Sequence, residues 1–379
     1  MNINKLLKQE FPQEKDLVYL NHAAVAPWPK RTTDAVKKFA EENNRTGAAN
    51  YKQWLEKETR LREQLRDFIN APLVDEISLL KNTSEALSVV ACGIDWKSGE
   101  NIVTTDQEFP SNRIAWQAQS RHGVKLREVD IAATVEPEKA LLDACDNYTR
   151  VMTVSSVQYG TGFRLDLARL GQFCQDKNIL FCVDAIQSIG AHRFDVQEIQ
   201  ADFAMADAHK WMLGPEGIAL FYCRSRLRDQ LELHQYGWHM VEDRNNYDSK
   251  SWEPAINGHR FECGSSNMLG IHALSASLSL FQEIGMENVE PMLLDHTDYL
   301  TEQLLRFDGV RLISPQDRQR RAGIVTFTID DVDMAELQQK LFIEKVICAY
   351  RVGGIRLSPH FYTERAKIDK VLEIITVTI

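Results

Sequence analysis

The sequence has no cysteines in C-x-x-C spacing, no apolar run long enough to span a bilayer and no excess of positive charge. Each absence removes a class of protein. The seven cysteines are odd in number and scattered, at positions 92, 145, 174, 182, 223, 263 and 348. That pattern suggests neither a disulfide framework nor a zinc site, so no metal is expected, and a reducing, cytoplasmic compartment fits. The first residues, MNINKLLKQEFPQEKD, are too charged for a secretory leader and lack its apolar core. With no segment of spanning length, no membrane is expected. The formal net charge of -10 argues against a general nucleic-acid binder. No G-x-G-x-x-G follows the first predicted strand, which speaks against a Rossmann-type nucleotide enzyme. No internal repeat or low-complexity segment stands out.

What is present is an ordinary globular composition, 44% hydrophobic and 26% charged over 379 residues. That length exceeds what one small core fills, and two domains are expected. Residues 31–69 read as a charged helical stretch. From about residue 77, short apolar strands alternate with helices: strands at 77–80, 101–105, 124–129, 150–157, 179–183, 203–206 and 218–222, helices at 83–91, 112–121 and 167–177. Such alternation implies an α/β fold with a mainly parallel sheet covered on both faces. A long helix at 268–285 follows, then further helix and strand to the end. The expected division is a large domain over 15–260 and a smaller α/β domain over 261–379 together with 1–14.

In sheets of this kind ligands bind beyond the carboxyl ends of the strands. Thr83, Glu108, Asp184 and Lys210 all fall at or just after predicted strand ends and can converge. Lys210 sits in Ala206-Asp207-Ala208-His209-Lys210-Trp211-Met212-Leu213-Gly214, between apolar strands. Burial there lowers its pKa and frees the amine for imine formation. Asp184 closes the run Ile179–Val183. A carboxylate at that place is ordinarily a cap or turn former; with a lysine 26 residues later, it also suits the pyridinium nitrogen of pyridoxal phosphate. Gln187 can reach the ring phenolate or simply begin a helix. Asn82-Thr83-Ser84-Glu85 is an N-cap in any case, and helix amides with two hydroxyls also suit a phosphate. Phe109 can stack on a ring or pack in a core. Arg356, among apolar neighbours, needs an anion: a substrate carboxylate or a structural ion pair. His22, Trp28, Tyr236, Trp238 and His239 are further pocket candidates.

These elements, in this order and from Tyr19 to Arg356, resemble class V of the fold-type I pyridoxal-phosphate enzymes. That family includes cysteine desulfurases, kynureninase and isopenicillin N epimerase-like proteins. The resemblance implies that Lys210 is the Schiff-base lysine, Asp184 the pyridinium partner and Gln187 the phenolate partner. It implies phosphate contacts from Thr83, Ser84 and His209, and from Ser265 to the neighbouring subunit of a homodimer. Gln158 is implied near the cofactor, and Arg356 with Ala23 and Ala24 at the substrate carboxylate. Three departures matter. Phe109-Pro110 stands where desulfurases carry a ring-stacking histidine. The only candidate for the nucleophilic cysteine that desulfurases carry shortly before this arginine is Cys348, eight residues before Arg356, in a strand-like context unsuited to a persulfide. Asp207 replaces a serine near the phosphate. The expected activity is therefore a lyase acting on an α-amino acid by β-elimination, C–S cleavage included. An aminotransferase or epimerase is the alternative, and a persulfide-forming desulfurase is disfavoured.

Overall fold

The computed structural model describes residues 2–378. A helix at the start, α1 (Ile3–Glu10), is capped by the Asn2 side chain. The expected single helical stretch after it is two helices, α2 (Lys30–Thr46) and α3 (Tyr51–Phe68). The break follows Gly47, whose φ of 55° lies in the left-handed region that glycine reaches at little cost.

Seven strands form the main sheet: β2 (Ile77–Leu80), β3 (Asn101–Thr105), β4 (Lys125–Val129), β5 (Thr149–Ser155), β6 (Leu180–Asp184), β7 (Phe203–Asp207) and β8 (Ala219–Cys223), β1 (Val18–Tyr19) lying apart. Their order is β2-β8-β7-β6-β5-β3-β4, and only β8 runs against its neighbours. Side chains along each strand alternate between two cores, as the period of two requires. Phe181 and Val183 join α3 and α7 (Leu167–Lys177) on one face. Cys182 joins α4 (Thr83–Gly93) and Trp116 of α5 (Ser111–Gln117) on the other. Burial on both faces explains why these strands read as continuous apolar runs. A helix at Pro137–Asp143, α6, was not expected from the sequence.

After the short α8 (Ser225–Arg228) and an irregular stretch come α9 (Met268–Ile284) and α10 (Met286–Leu304). A second, antiparallel sheet of order β12-β13-β10-β9 is built from β9 (Val310–Leu312), β10 (Val325–Ile329), β12 (Ala349–Arg351) and β13 (Gly354–Leu357). It packs on α10, α11 (Met334–Ile343) and α12 (Arg365–Thr378). β11 (Val346–Ile347) pairs instead with β1, parallel. Core packing divides the chain differently from the expected 260/261 boundary. Ile271, Leu274 and Leu278 of α9, and Leu7 of α1, lie in the large core, whereas Val18 and Leu20 lie in the small one. The cause is tertiary: each apolar helix stripe joins the core it faces, whatever its place in the chain. A fourth cluster, including Ala23, Val157, Ala191, Trp211, Leu293, Ala322 and Ile324, lies between the two.

Candidate functional site

The carboxyl ends of β5 and β6 place Ser155 beside Asp184, and β7 runs two residues past Met205, the partner of Asp184, to end at Asp207. Asp184 is 2% exposed and its Oδ1 accepts from the Ile186 amide at 3.1 Å. Burial pushes its carboxyl up, and the nearby charges of Glu108 and Asp207 add to the rise, against the pull of the Ile186 amide and of Lys210. Lys210 lies three residues beyond β7. Its amine is driven down chiefly by burial, with Asp184 as the foremost opposing charge. Both shifts favour neutral groups ready to exchange a proton.

The turn that presents Lys210 is closed by its own backbone. Leu213 N–H donates to Lys210 O at 3.0 Å and Gly214 N–H to Ala208 O at 2.9 Å. Leu213 has φ of 58°, a left-handed conformation that a branched side chain adopts only when surroundings impose it. The N-terminal arm locks on as well, Ala26 N–H donating to His209 O at 2.8 Å. The Lys210 ammonium is 5.6 Å from the centroid of the Phe109 ring, which is partly exposed and meets the Tyr159 ring edge-on.

Thr83 opens α4, capped by Asn82, and its hydroxyl accepts the Asp207 amide at 3.0 Å. Ser84 Oγ bonds Ser111 Oγ at 2.7 Å. Asp207 turns to His209, with Oδ1 3.0 Å from Nδ1 but not aligned for a hydrogen bond. Gln187 donates to Ala23 O and accepts from the Trp211 indole. Arg356, on β13, is 2% exposed. It donates to Tyr159 O at 2.8 Å, and among the described residues no carboxylate pairs with it. Burial pulls its guanidinium down to about 10, and Arg351 on the same hairpin adds to this. The ion-pair reading of Arg356 is thereby removed. Ser265 is exposed, in the loop ahead of α9, and Ala24 is half-buried in the arm.

The sequence reading grouped Glu108 with the converging strand-end residues but gave it no role. Its buried carboxylate accepts from Thr105, Asn112 and the Ser155 amide, with Gln158 Nε2 at 3.3 Å. Its place after a strand end was the available signal. Of the other pocket candidates, His22 is wholly buried against Ser358 and Tyr362. Tyr236 and Trp238 line a separate cavity of about 660 Å³ whose walls include neither Lys210 nor Arg356. His239 is buried beside Arg244, and Trp28 is partly exposed.

Among the buried polar atoms without a hydrogen-bond partner, which also occur elsewhere in the molecule, are Gln158 Oε1, Asp207 Oδ1, His209 Nδ1 and Arg356 Nε. Folded proteins rarely leave such groups unpaired unless a ligand satisfies them. A lysine amine, a carboxylate and an unpaired guanidinium around polar, half-satisfied walls fit pyridoxal phosphate and an amino acid.

Fold and site together define a pyridoxal-phosphate-dependent enzyme of fold type I. The chain belongs to the aminotransferase class-V family, whose pattern matches residues 18–370. It is 31% identical to a probable cysteine desulfurase of Methanothermobacter thermautotrophicus, over 96% of this chain and 95% of that one. It superposes on the apo cysteine desulfurase of Thermococcus onnurineus NA1 with a TM-score of 0.89, at 24% identity, covering 100% and 98% of the two chains. The cystine C–S lyase C-DES, in complex with its product cysteine persulfide, gives 0.88 at 25% identity over 96% and 98%. Among the described residues no helix is long and apolar enough to cross a membrane.

Proposed function

We propose that this enzyme is a C–S lyase that eliminates across Cα–Cβ of a sulfur-containing α-amino acid. The observation that carries the reading is Arg356, buried and without a carboxylate, near enough for its charge to act on Lys210. A buried unpaired guanidinium is costly unless an anion joins it, and a substrate carboxylate is the natural one.

When bound, the cofactor would supply an aldehyde and an electron-accepting ring. Lys210 would hold it, and the Lys210 amine, lowered by burial, would serve as the base at substrate Cα. Asp184 holds a proton on the pyridine nitrogen. Gln187 would offer an amide N–H to the ring oxygen, and Phe109 would cover the ring, with Gln158 beside it. Thr83, Ser84 and His209 bind the phosphate from one subunit. Ser265, exposed on the surface, reaches the phosphate of the neighbouring subunit in a homodimer. Arg356 grips the carboxylate, and Ala24 lines the same end.

The names of the relatives favour a second reading, a cysteine desulfurase. That chemistry needs a mobile thiolate. Cys348 is 6% exposed between β11 and β12, and burial pushes its thiol up to about 12. The turn joining β12 to β13, Val352-Gly353, carries no cysteine. Both facts support the lyase. Incubating the enzyme with cystine and with cysteine tests it. Pyruvate, ammonia and a persulfide mark the lyase, whereas alanine with sulfur on the protein marks the desulfurase. Conversion to the pyridoxamine form without these products marks transamination.

A further inference from the structure

Gln187 is held at both ends of its amide. Its Oε1 accepts from Trp211 Nε1 at 2.7 Å, and its Nε2 donates to Ala23 O at 3.0 Å. An indole N–H can only donate and a backbone carbonyl can only accept, so these two partners fix which end of the amide is oxygen. One N–H of Gln187 stays uncommitted. Trp211 directly follows Lys210, so the residue that sets this amide belongs to the turn that carries the amine.

Trp211 is itself fixed by the segment after β13. Its carbonyl accepts from His360 Nε2 at 3.1 Å, while His360 Nδ1 accepts the Phe361 amide at 2.9 Å. The two bonds define a neutral, Nε2-protonated imidazole, and burial holds the pKa of His360 well below the ordinary value. The indole ring is 5.2 Å from the His360 ring, centroid to centroid. Two glycines make its slot. A Cβ at Gly190 would fall 2.3 Å from the Trp211 carbonyl oxygen, and one at Gly323 would fall 2.4 Å from the ring. Leu293, Ala322 and Ile324 of the small domain complete the packing.

We propose that Trp211 is a positioning residue: its indole N–H orients Gln187 so that an amide N–H, never the carbonyl, faces the cofactor's ring oxygen, and its seat between the domains ties that orientation to the docking of the small domain. The proposal rests on the reading that Gln187 faces that oxygen. The N–H stabilises negative charge on the oxygen and thereby keeps the neighbouring Lys210-bound nitrogen less basic. Without the indole N–H the amide is held only at its Ala23 end, so its N–H meets the ring oxygen less firmly, which raises that basicity.

The test is the pH midpoint of the absorbance of the Lys210-bound cofactor, measured in the loaded enzyme without substrate. Trp211→Phe removes the N–H and keeps an aromatic ring; the midpoint is expected to rise by about one pH unit, tenfold in the proton equilibrium. Gln187→Ala is expected to raise it as well, and Trp211→Phe added to Gln187→Ala is expected to move it no further. A midpoint indifferent to Gln187→Ala would overturn the reading of Gln187. A midpoint that moves with Gln187→Ala but not with Trp211→Phe would overturn the proposal alone, as would equal shifts from Trp211→Phe in both backgrounds. Should Trp211→Phe fail to fold, Trp211→Met in the same pair of backgrounds decides the matter by the same criteria.

Discussion

Two buried charge clusters of this molecule differ in what they leave unfinished. Around Arg62, four N–H groups are used: two on Glu262 at 2.7 Å, one on Glu58 at 2.6 Å and one on Ile77 O, with Nε alone unpaired. Burial would lower the Arg62 pKa, but Glu262 and Glu58 outweigh it and the net shift is upward. Glu58 moves the other way. Burial would raise it, yet His259 and Arg62 bring it down to about 2. Ligand atoms of Glu58, His259 and Glu262 lie within 4.8 Å of one another, a spacing suited to a cation, and the Arg62 guanidinium is hydrogen-bonded to both carboxylates. Around Lys210 the balance is reversed. Lysine and arginine are driven down, Asp184 is driven up, and polar atoms stand unpaired. A cluster that completes itself serves the fold; one that stays incomplete awaits a ligand.

The sharpest way to break this contrast is Lys210→Ala. Loss of both the covalent attachment and the base is expected to lower activity by at least about 10⁴-fold and to abolish the Lys210-bound absorbance. A variant that kept that absorbance would end the assignment. Next come two arginines treated alike. Arg356→Met is expected to raise KM for the amino acid about a hundredfold while leaving stability level or higher, because it removes an unpaired buried cation. Arg62→Met strands two carboxylates and is expected to cost about 3–5 kcal/mol in urea unfolding. Equal stability losses would erase the distinction between the clusters.

Acid titration gives a smaller and opposite pair. Glu58 has its folded pKa depressed, so its contribution is present above about 4.5 and is lost as pH falls towards about 2, roughly 3 kcal/mol in all. Glu58→Gln should flatten that limb. Asp184 has its folded pKa raised, so its contribution is present below the ordinary carboxylate range and is lost as pH climbs through the raised value. Asp184→Asn should flatten stability against pH on that side in cofactor-free protein. Last, Cys348→Ala is expected to change turnover by less than about twofold, since a buried, protonated thiol is inert. A large loss there would revive the persulfide route.

Much of this was readable along the chain. The apolar runs ending at Asp184 and Asp207, and the glycine-bearing turn after Lys210, marked the sheet and its carboxyl edge because strand burial and turn chemistry are local. The same reading merged α2 with α3 and missed α6 and β9, where the periodic signal is short or interrupted. It left Arg356 open between ion pair and substrate. It had no means of seeing Glu108 bonded to Ser155, 47 residues on, or Arg62 to Glu262, 200 residues on.

The sequence by itself determined the α/β alternation, the lysine and carboxylate at neighbouring strand ends and the chemistry those two allow. Only the tertiary structure decided which charges are paired, that Cys348 is sealed, and that Trp211 holds Gln187. Strand and helix periods act over a few residues, whereas pairing and burial depend on what distant segments bring to the same place.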